Sequence, residues 1–159
     1  MSELFQTVLD SFLEKGWPVR QHQSLPVLQM AYETDNGVWD CYVQVEDQRK
    51  QVLAYSVLPE RVPEARRAAM AEFLTRANFG LVIGNFELDF ADGELRYKAG
   101  LDVGQDELSV EQVNALVKAV LDAMDDHLPG IRQVQQGSAT PEAALQAVHR
   151  TLASTDFHF

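Results

Sequence analysis

Two tight-turn dipeptides, Asn36-Gly37 and Asp92-Gly93, constrain the fold of this 159-residue sequence more than any other feature. Each lies between two stretches in which apolar and polar residues alternate. Asparagine, aspartate and glycine accept the positive φ angles of a type I′ turn, and a period of two is that of a strand with one buried face. The sequence therefore predicts two antiparallel hairpins, over residues 27–46 and 81–103.

The turn positions also predict the register of each hairpin. In the first hairpin Thr34 should face Trp39, and Met30 should face Val43. This register puts the large apolar side chains of both strands on one face. In the second hairpin the predicted cross-strand pairs are Asp89 with Arg96, Glu87 with Lys98, and Leu88 with Tyr97.

Apolar residues at helical spacing predict four helices outside the hairpins. The first is capped by Ser2 and stopped by Gly16, and the third opens on a capping box at Ser109. Because proline removes a backbone donor and clashes with the preceding turn, we expect the third helix to break or kink near Pro129. The other predicted elements are a strand over 51–58, a helix over 63–78, and a last helix that opens at Thr140-Pro141-Glu142.

Together these elements predict an α+β fold, in which a twisted antiparallel sheet of about five strands packs on helices. The predicted order is α-β-β-β-α-β-β-α-α. The length is that of one domain, so we expect residues 1–159 to form a single unit with a C-terminal helical extension from about residue 140.

A formal net charge of −11 indicates the class of partner. Phosphate backbones and anionic lipid surfaces repel such a chain at long range, whereas a basic protein segment is attracted. No stretch approaches the ~20 apolar residues that span a bilayer, and the start of the chain has no signal-peptide pattern. We therefore expect a cytoplasmic protein whose partner is another protein, with no direct contact to nucleic acid or to a membrane.

Residues that could carry chemistry are dispersed along the chain. Cys41 stands between apolar strand residues and is interpreted as a buried strand member, because no cationic neighbour would activate its thiol. No nucleotide-binding loop or nucleophile motif occurs. The histidines lack the spacing of a metal site and stand at His22, His127, His149 and His158. We expect no catalytic residue, no metal site and no cofactor.

Three carboxylates, Asp122, Asp125 and Asp126, gather towards the end of the third predicted helix. The helix dipole disfavours negative charge there, so a cation or a basic partner could offset it. The simpler interpretation is a solvated acidic end, because a helical cluster lacks the loop geometry of a calcium site.

Two stretches carry a resemblance to a known family. The first runs from Arg76-Ala77-Asn78-Phe79-Gly80-Leu81 through Gly84-Asn85-Phe86-Glu87-Leu88-Asp89 to Asp92-Gly93-Glu94-Leu95-Arg96-Tyr97-Lys98. The second is Met124-Asp125 with Leu128-Pro129-Gly130-Ile131. Both resemble the YbjN-type family of bacterial proteins. That family is similar in fold to the class I type III secretion chaperones, which are acidic homodimers that bind extended segments of client proteins. The resemblance implies a homodimer with a protein-binding role, and the family's name suggests regulation of sensory responses.

The sequence thus favours a non-catalytic protein-binding module, a chaperone-like or regulatory adaptor that binds a client protein. Ala31, Tyr42 and Ile83 are the candidate contacts, since apolar and aromatic residues among polar neighbours on a sheet face can anchor a partner. Ordinary surface placement is the simpler interpretation of these three residues.

Two alternatives stay open at this point. One is a small hydrolase or ligand-binding enzyme whose site assembles from Asp40, His127 and Asp125. The other is nucleic-acid binding through a local basic patch, whose members are Arg61, Arg66, Arg67 and Arg76.

Overall fold

A six-stranded antiparallel sheet, with helices packed on one of its faces, forms the protein in a computed structural model that describes residues 1–155. The elements in chain order are α1 (Glu3–Lys15), β1 (Arg20–Gln21), β2 (Val27–Thr34), β3 (Gly37–Glu46), β4 (Gln51–Val57), α2 (Arg67–Phe79), β5 (Asn85–Leu88), β6 (Leu95–Asp102), α3 (Val110–Gln136) and α4 (Pro141–Thr155). The strands lie in the order β1-β2-β3-β4-β6-β5. The predicted α+β class is confirmed, but the predicted sheet lacked β1, which at two residues is too short to show a period.

Helices α1, α2 and α3 contact the sheet, and α4 packs on α2 and α3. Alternate strand residues therefore enter one core, while their sequence neighbours face the uncovered side. Cys41 is a fully buried member of this core, as predicted. Burial, and after it the charge of Asp40, raises the pKa of the Cys41 thiol to about 12, so the thiol stays protonated at neutral pH.

The predicted register of the first hairpin is wrong by two residues. Thr34 pairs with Gly37, and the loop is Asp35-Asn36. The Thr34 hydroxyl accepts a hydrogen bond from the Asn36 N–H at 3.1 Å, and Asn36 does not have a positive φ. Because the shift is even, each side chain still lies on the predicted face.

The second hairpin shows the same two-residue shift. Leu88 pairs with Leu95, and Glu87 pairs with Arg96 instead of Lys98. The loop is longer than predicted, because the Gly93 N–H donates to the Asp89 carbonyl at 2.7 Å and closes a five-residue turn.

The chain that leads into α2 holds this longer loop in place. The Val62 N–H donates to the Gly93 carbonyl at 2.8 Å, and Arg67 donates to the Phe90 carbonyl at 3.0 Å. Tertiary contacts therefore decide the loop length in place of the local turn preference of Asp92-Gly93.

The predicted break at Pro129 does not occur, and α3 continues to Gln136. Pro129 has no N–H to donate to the carbonyl of Asp125, four residues earlier. Asn36 supplies the missing donor, since its Nδ2 lies 3.2 Å from the Asp125 carbonyl oxygen and 3.0 Å from the Asp125 Oδ1. The Thr34 hydroxyl donates to the same carboxylate oxygen at 2.6 Å.

Burial holds the part of α3 that follows the proline. Leu128, Ile131 and Val134 are all buried, and full burial of such side chains contributes about 1.5–3 kcal/mol each. Gly130 lets Phe73 approach the helix, since a Cβ there would lie 2.7 Å from the Phe73 ring. This burial outweighs the ~3 kcal/mol that an interior proline costs.

Asn36→Ala should lower the free energy of unfolding by about 0.5–1.5 kcal/mol, because the Asp125 carbonyl loses the donor that Asn36 supplies. The effect should fall below about 0.5 kcal/mol in a Pro129→Ala background, where residue 129 regains its own N–H. Urea unfolding of the two single variants and the double variant measures this coupling. Asp35→Ala, in the same exposed turn, is the matched control, and equal Asn36→Ala effects in both backgrounds would contradict the assignment.

His127 lies in the core between α3 and the sheet and is 3% exposed. Its Nδ1 lies 2.8 Å from the Ala123 carbonyl, which can only accept, so this nitrogen carries the proton. Its ring meets the Phe86 ring edge-on at 5.1 Å. Burial lowers the pKa of His127, the Ala123 bond opposes that shift, and the charge of His149 adds to it.

Because the folded-state pKa of His127 lies below the ordinary 6.5, the unfolded chain takes up a proton before the folded chain does. The free energy of unfolding should therefore fall by up to about 1.4 kcal/mol per pH unit as the pH drops below about 6.5, until the folded pKa is reached. Urea titrations between about pH 7 and pH 5 should show a shallower slope for His127→Leu. Parallel slopes for the two proteins would contradict this.

Candidate interaction surface

The connection between α2 and β5 holds apolar side chains out into solvent. Phe79 is 97% exposed, Val82 is 91% exposed and Ile83 is 57% exposed. We call residues 79–84 the apolar loop. Contiguous exposed apolar side chains of this size are uncommon on a soluble protein and mark interaction sites.

Both ends of the apolar loop are tied to the sheet. The Asn78 side chain, just before the loop, donates to the Phe86 carbonyl at 3.1 Å and accepts from the Phe86 N–H at 2.7 Å. At the far end, the Tyr97 hydroxyl donates to the carbonyl of Ile83. Gly84 has φ +81°, and a Cβ there would lie 2.5 Å from the Lys98 carbonyl oxygen. The exposed side chains therefore stand on an ordered backbone, which lowers the entropy cost of binding.

The Asn78 amide also closes one edge of the sheet. β5 is the last strand, and the Phe86 N–H and C=O that meet Asn78 lie on its backbone. One side chain thus satisfies a donor and an acceptor that a neighbouring strand would otherwise take.

The uncovered face of the sheet carries two of the predicted contact residues. Ala31 is exposed, and Tyr42 is half-buried at a groove of about 380 Å³ beside β1. They are diagonal neighbours, because Ala31 pairs with Asp40 and Tyr42 pairs with Gln29. Burial, followed by the charge of Asp40, raises the pKa of the Tyr42 hydroxyl.

Ile83, the third predicted contact, is not brought to this face. It precedes β5, which forms the opposite edge of the sheet from Ala31 on β2. The structure therefore places the three residues on two separate surfaces, and their role in binding stays a prediction.

Sequence reasoning missed Phe79 and Val82. Phe79 ends a helix with a regular stripe, and the five residues 79–83 are too few to show a period of either kind. One sequence signal could have indicated these residues: apolar residues continue past Gly80, where the helix is predicted to end, as far as a second glycine, Gly84.

The residues of the hydrolase alternative do not converge. Asp40 lies on the uncovered face of the sheet, and His127 is buried on the helical side. Asp125 accepts hydrogen bonds from Thr34 and Asn36. Contacts within the fold therefore account for the positions of His127 and Asp125.

The acidic end of α3 is also engaged within the protein. Lys118 donates to Asp122, and Asp125 is held by the first hairpin. Across residues 1–155, no three histidine, cysteine, aspartate or glutamate side chains lie together as a metal site would require. His158 lies outside the described residues.

All four arginines of the predicted basic patch have partners in the fold. Arg66 donates to the Val134 carbonyl at 2.7 Å, which ties the start of α2 to the end of α3. The other partners are Asp92 and Glu94 for Arg61, the Val62 and Phe90 carbonyls for Arg67, and Glu72 for Arg76. In the part of the chain described, no helix combines the length and the apolar character needed to cross a bilayer.

An antiparallel sheet with helices on one face and exposed apolar side chains on an ordered loop defines a one-sided α+β protein with an uncovered sheet face. A family model matches residues 6–133, and its description is "YbjN: Putative bacterial sensory transduction regulator". The chain belongs to this family, as the resemblance in its sequence indicated.

One solved structure has a similar fold, and two further matches are weaker. The crystal structure of YbjN from E. coli superposes with a TM-score of 0.60 at 17% sequence identity and covers 76% of this chain and 84% of that chain. At this identity the likeness is one of fold. The ExsC-ExsE complex matches with a TM-score of 0.49 at 15% identity, covering 76% of this chain and 86% of that chain. The HopA1-SchA chaperone-effector complex matches with a TM-score of 0.47 at 18% identity, covering 78% and 93%. No curated protein matches the sequence.

Asn78→Ala should lower the free energy of unfolding by about 1–3 kcal/mol, because both Phe86 backbone groups lose their partner. The opened β5 edge should also make self-association depend on concentration. Thr75→Ala, at an exposed position of the same helix, should change neither property. Urea unfolding and light scattering across a concentration series measure the two effects. An Asn78→Ala protein as stable as the Thr75→Ala control would contradict the capping role.

Proposed function

We propose that this protein is a non-catalytic protein-binding module, a chaperone-like or regulatory adaptor that holds another protein through the apolar loop. The observation that carries the proposal is the exposure of Phe79 and Val82 on a backbone anchored at both ends. Burying these two side chains against a partner would contribute about 1.5–3 kcal/mol of binding free energy each, because folding of the chain alone leaves them exposed. The family's description as a sensory transduction regulator supports a regulatory role that works by binding.

The apolar loop acts as an anchor within a larger contact. A standard interface covers about 800 Å² on each partner, which is more than three side chains provide. Ile83 belongs to this anchor, and the uncovered sheet face with Ala31 and Tyr42 is a second contact surface. The net charge of −11 favours a client or regulatory protein that carries basic groups.

The buried polar groups support a binding function more than a catalytic one, because their hydrogen bonds connect the sheet to the helices. The Ser56 hydroxyl donates to the Val120 carbonyl at 2.6 Å and accepts from the Trp39 indole at 3.0 Å, which joins β4 and β3 to α3. His127 and Cys41 are buried and keep their protons under neutral conditions on Nδ1 and on sulfur. These groups are buried and are used in contacts within the fold.

We further propose that the protein works as a homodimer, as the family resemblance implies, and that it works in the cytoplasm and without a cofactor, as expected from the sequence. Light scattering of the purified chain gives its mass in solution. A chain that stays monomeric at all concentrations would contradict the proposed dimer. The protein-binding proposal would not be affected, because the Phe79 and Val82 variants test it separately.

Phe79→Ala combined with Val82→Ala should reduce the partner protein retained by the immobilised chain at least about tenfold, since anchor residues of this kind contribute about 2 kcal/mol or more. Stability should be unchanged, because both side chains are exposed. Affinity capture from a bacterial lysate with quantitative mass spectrometry measures retention, and thermal unfolding checks the fold.

Leu13→Ala is the matched control, because Leu13 is also an exposed apolar residue, at 59%, but lies on α1. It should retain the partner at the level of the unaltered chain. Equal retention by the control and by the loop variant would contradict the role of the apolar loop.

A further inference from the structure

Helices α2 and α4 run in the same direction along α3. At their first ends, a Cβ at Gly137, in the short turn before α4, would lie 3.6 Å from the guanidinium carbon of Arg66, just before α2. Midway, a Cβ at Gly130 of α3 would lie 2.7 Å from the Phe73 ring of α2 and 3.0 Å from Val148 of α4. The two helices therefore start together and are still neighbours at their middles.

The far ends of these two helices consequently lie at the same end of the molecule. From Phe73 to the end of α2 at Phe79, the helix rises about 9 Å. From Val148 to the end of α4 at Thr155, the helix rises about 10 Å. α4 thus ends close to the level at which the apolar loop begins.

A second series of contacts gives the same placement. His149 of α4 lies near enough to His127 for its charge to act on that imidazole. The His127 ring meets the Phe86 ring at 5.1 Å, and Asn78, which precedes the apolar loop, bonds to the Phe86 backbone. The last turns of α4 therefore lie on the side of the helical layer that carries the apolar loop.

Two phenylalanines follow α4 in the sequence. Residues 156–159 are Asp-Phe-His-Phe and lie outside the described part of the chain. An extended chain covers about 3.3–3.6 Å per residue, so four residues span about 13–14 Å. Packed helices lie about 8–10 Å apart, measured between their axes. The sequence after α4 is therefore long enough to bring Phe157 and Phe159 to the apolar loop.

The chemistry of these two residues complements that of the apolar loop. A phenylalanine ring packs edge-on or offset against another ring, and Phe79 presents an almost fully exposed one. Burial of Phe157 and Phe159 against Phe79, Val82 and Ile83 would remove apolar surface of both segments from water, which is favourable.

Attachment to the same chain favours these phenylalanines over a second copy as the occupant of the loop. A segment joined by a short linker has an effective concentration in the millimolar range, which exceeds that of the protein itself in dilute solution. A second copy would also bring together two chains that each carry a net charge of −11. A contact of only millimolar affinity is therefore sufficient to cover the loop within one chain.

We propose that Phe157 and Phe159 bind the apolar loop of their own chain and that a partner protein has to displace them. The regulatory half of this inference rests on the proposed function, because it concerns access to the same loop. The apparent affinity for a partner falls in proportion to the fraction of chains whose loop is uncovered. The family model matches residues 6–133 and α4 begins at Pro141, so this control belongs to the extension of this chain.

Methyl NMR of the full chain tests the contact directly. Phe157→Ala combined with Phe159→Ala should shift the Val82 and Ile83 methyl resonances, because the ring currents of the two phenylalanines are removed. His158→Ala, between them, is the matched control and should leave those resonances in place. Unchanged methyl resonances in the double variant would overturn the proposal. So would nuclear Overhauser contacts that arise only between copies in a mixture of labelled and unlabelled chains.

A synthetic peptide with the sequence of residues 153–159 is the probe for an uncovered loop. It should bind the Phe157→Ala with Phe159→Ala chain with millimolar affinity. It should bind the unaltered chain at least about threefold more weakly, because the loop there is already covered. Adding Phe79→Ala and Val82→Ala to the double variant should abolish binding. Equal binding of the peptide to the unaltered chain and to the double variant would overturn the proposal.

The contact and the proposed function fail separately. In the capture experiment, Phe157→Ala with Phe159→Ala should increase the partner protein retained at least about threefold, and no increase would refute the regulatory half. If the methyl resonances do not shift but Phe79→Ala with Val82→Ala still loses the partner, the covering of the loop is refuted and the proposed function stands. If the resonances shift but Phe79→Ala with Val82→Ala loses no partner, the proposed function is refuted and the contact stands.

Discussion

The bond between Asn36 and the Asp125 carbonyl connects the sheet to the longest helix at the point where that helix contains a proline. It supplies the hydrogen bond that Pro129 cannot donate within α3, and it holds the tip of the first hairpin against that helix. Gly37 makes the approach possible, because a Cβ there would lie 2.8 Å from Leu128 and 2.6 Å from Arg132. The helix held in this position also carries α4 and receives the start of α2 through Arg66.

With the helices collected on one face, the remaining surfaces of the sheet are left for other molecules. The fold uses its buried polar groups for internal contacts and keeps its apolar anchors outside, on the connection between α2 and β5. This distribution suits a protein that works by contact. It also separates two exposed surfaces in space, since the apolar loop precedes β5 at one edge of the sheet, whereas Ala31 lies on β2 towards the other edge.

Much of this fold could be predicted from residue patterns, because the signals for helices and hairpins are local. The caps at Ser2 and Ser109, the alternating strands and the order of the long elements are all confirmed. The first turn was placed one residue too far along, which shifts the register by two, because Asn36 bonds to the helix instead of adopting a positive φ. Because a register shift of two residues leaves each side chain on the same face of the sheet, the predicted faces remain correct. The continuation of α3 through Pro129 could not be predicted, since its missing donor comes from a residue 93 positions earlier in the chain.

The candidate site was harder to predict than the fold, because exposure is a property of the whole structure. Tyr42 and Ala31 could be assigned to a sheet face by their period, whereas nothing local shows that Phe79 remains uncovered at a helix end. The partners of the arginines in the basic patch could not be predicted for the same reason, since the Val134 carbonyl that Arg66 contacts lies 68 residues away in sequence.

The Asn78 cap on β5 has a consequence for stoichiometry. Growth of a sheet into a fibre needs an accepting edge on both sides of every subunit, so that each addition creates a place for the next. Within the described residues, the Asn78 side chain already occupies the N–H and the C=O of Phe86, so part of the β5 edge is closed to a further strand. The cap therefore makes end-to-end growth of the sheet through this edge less favourable.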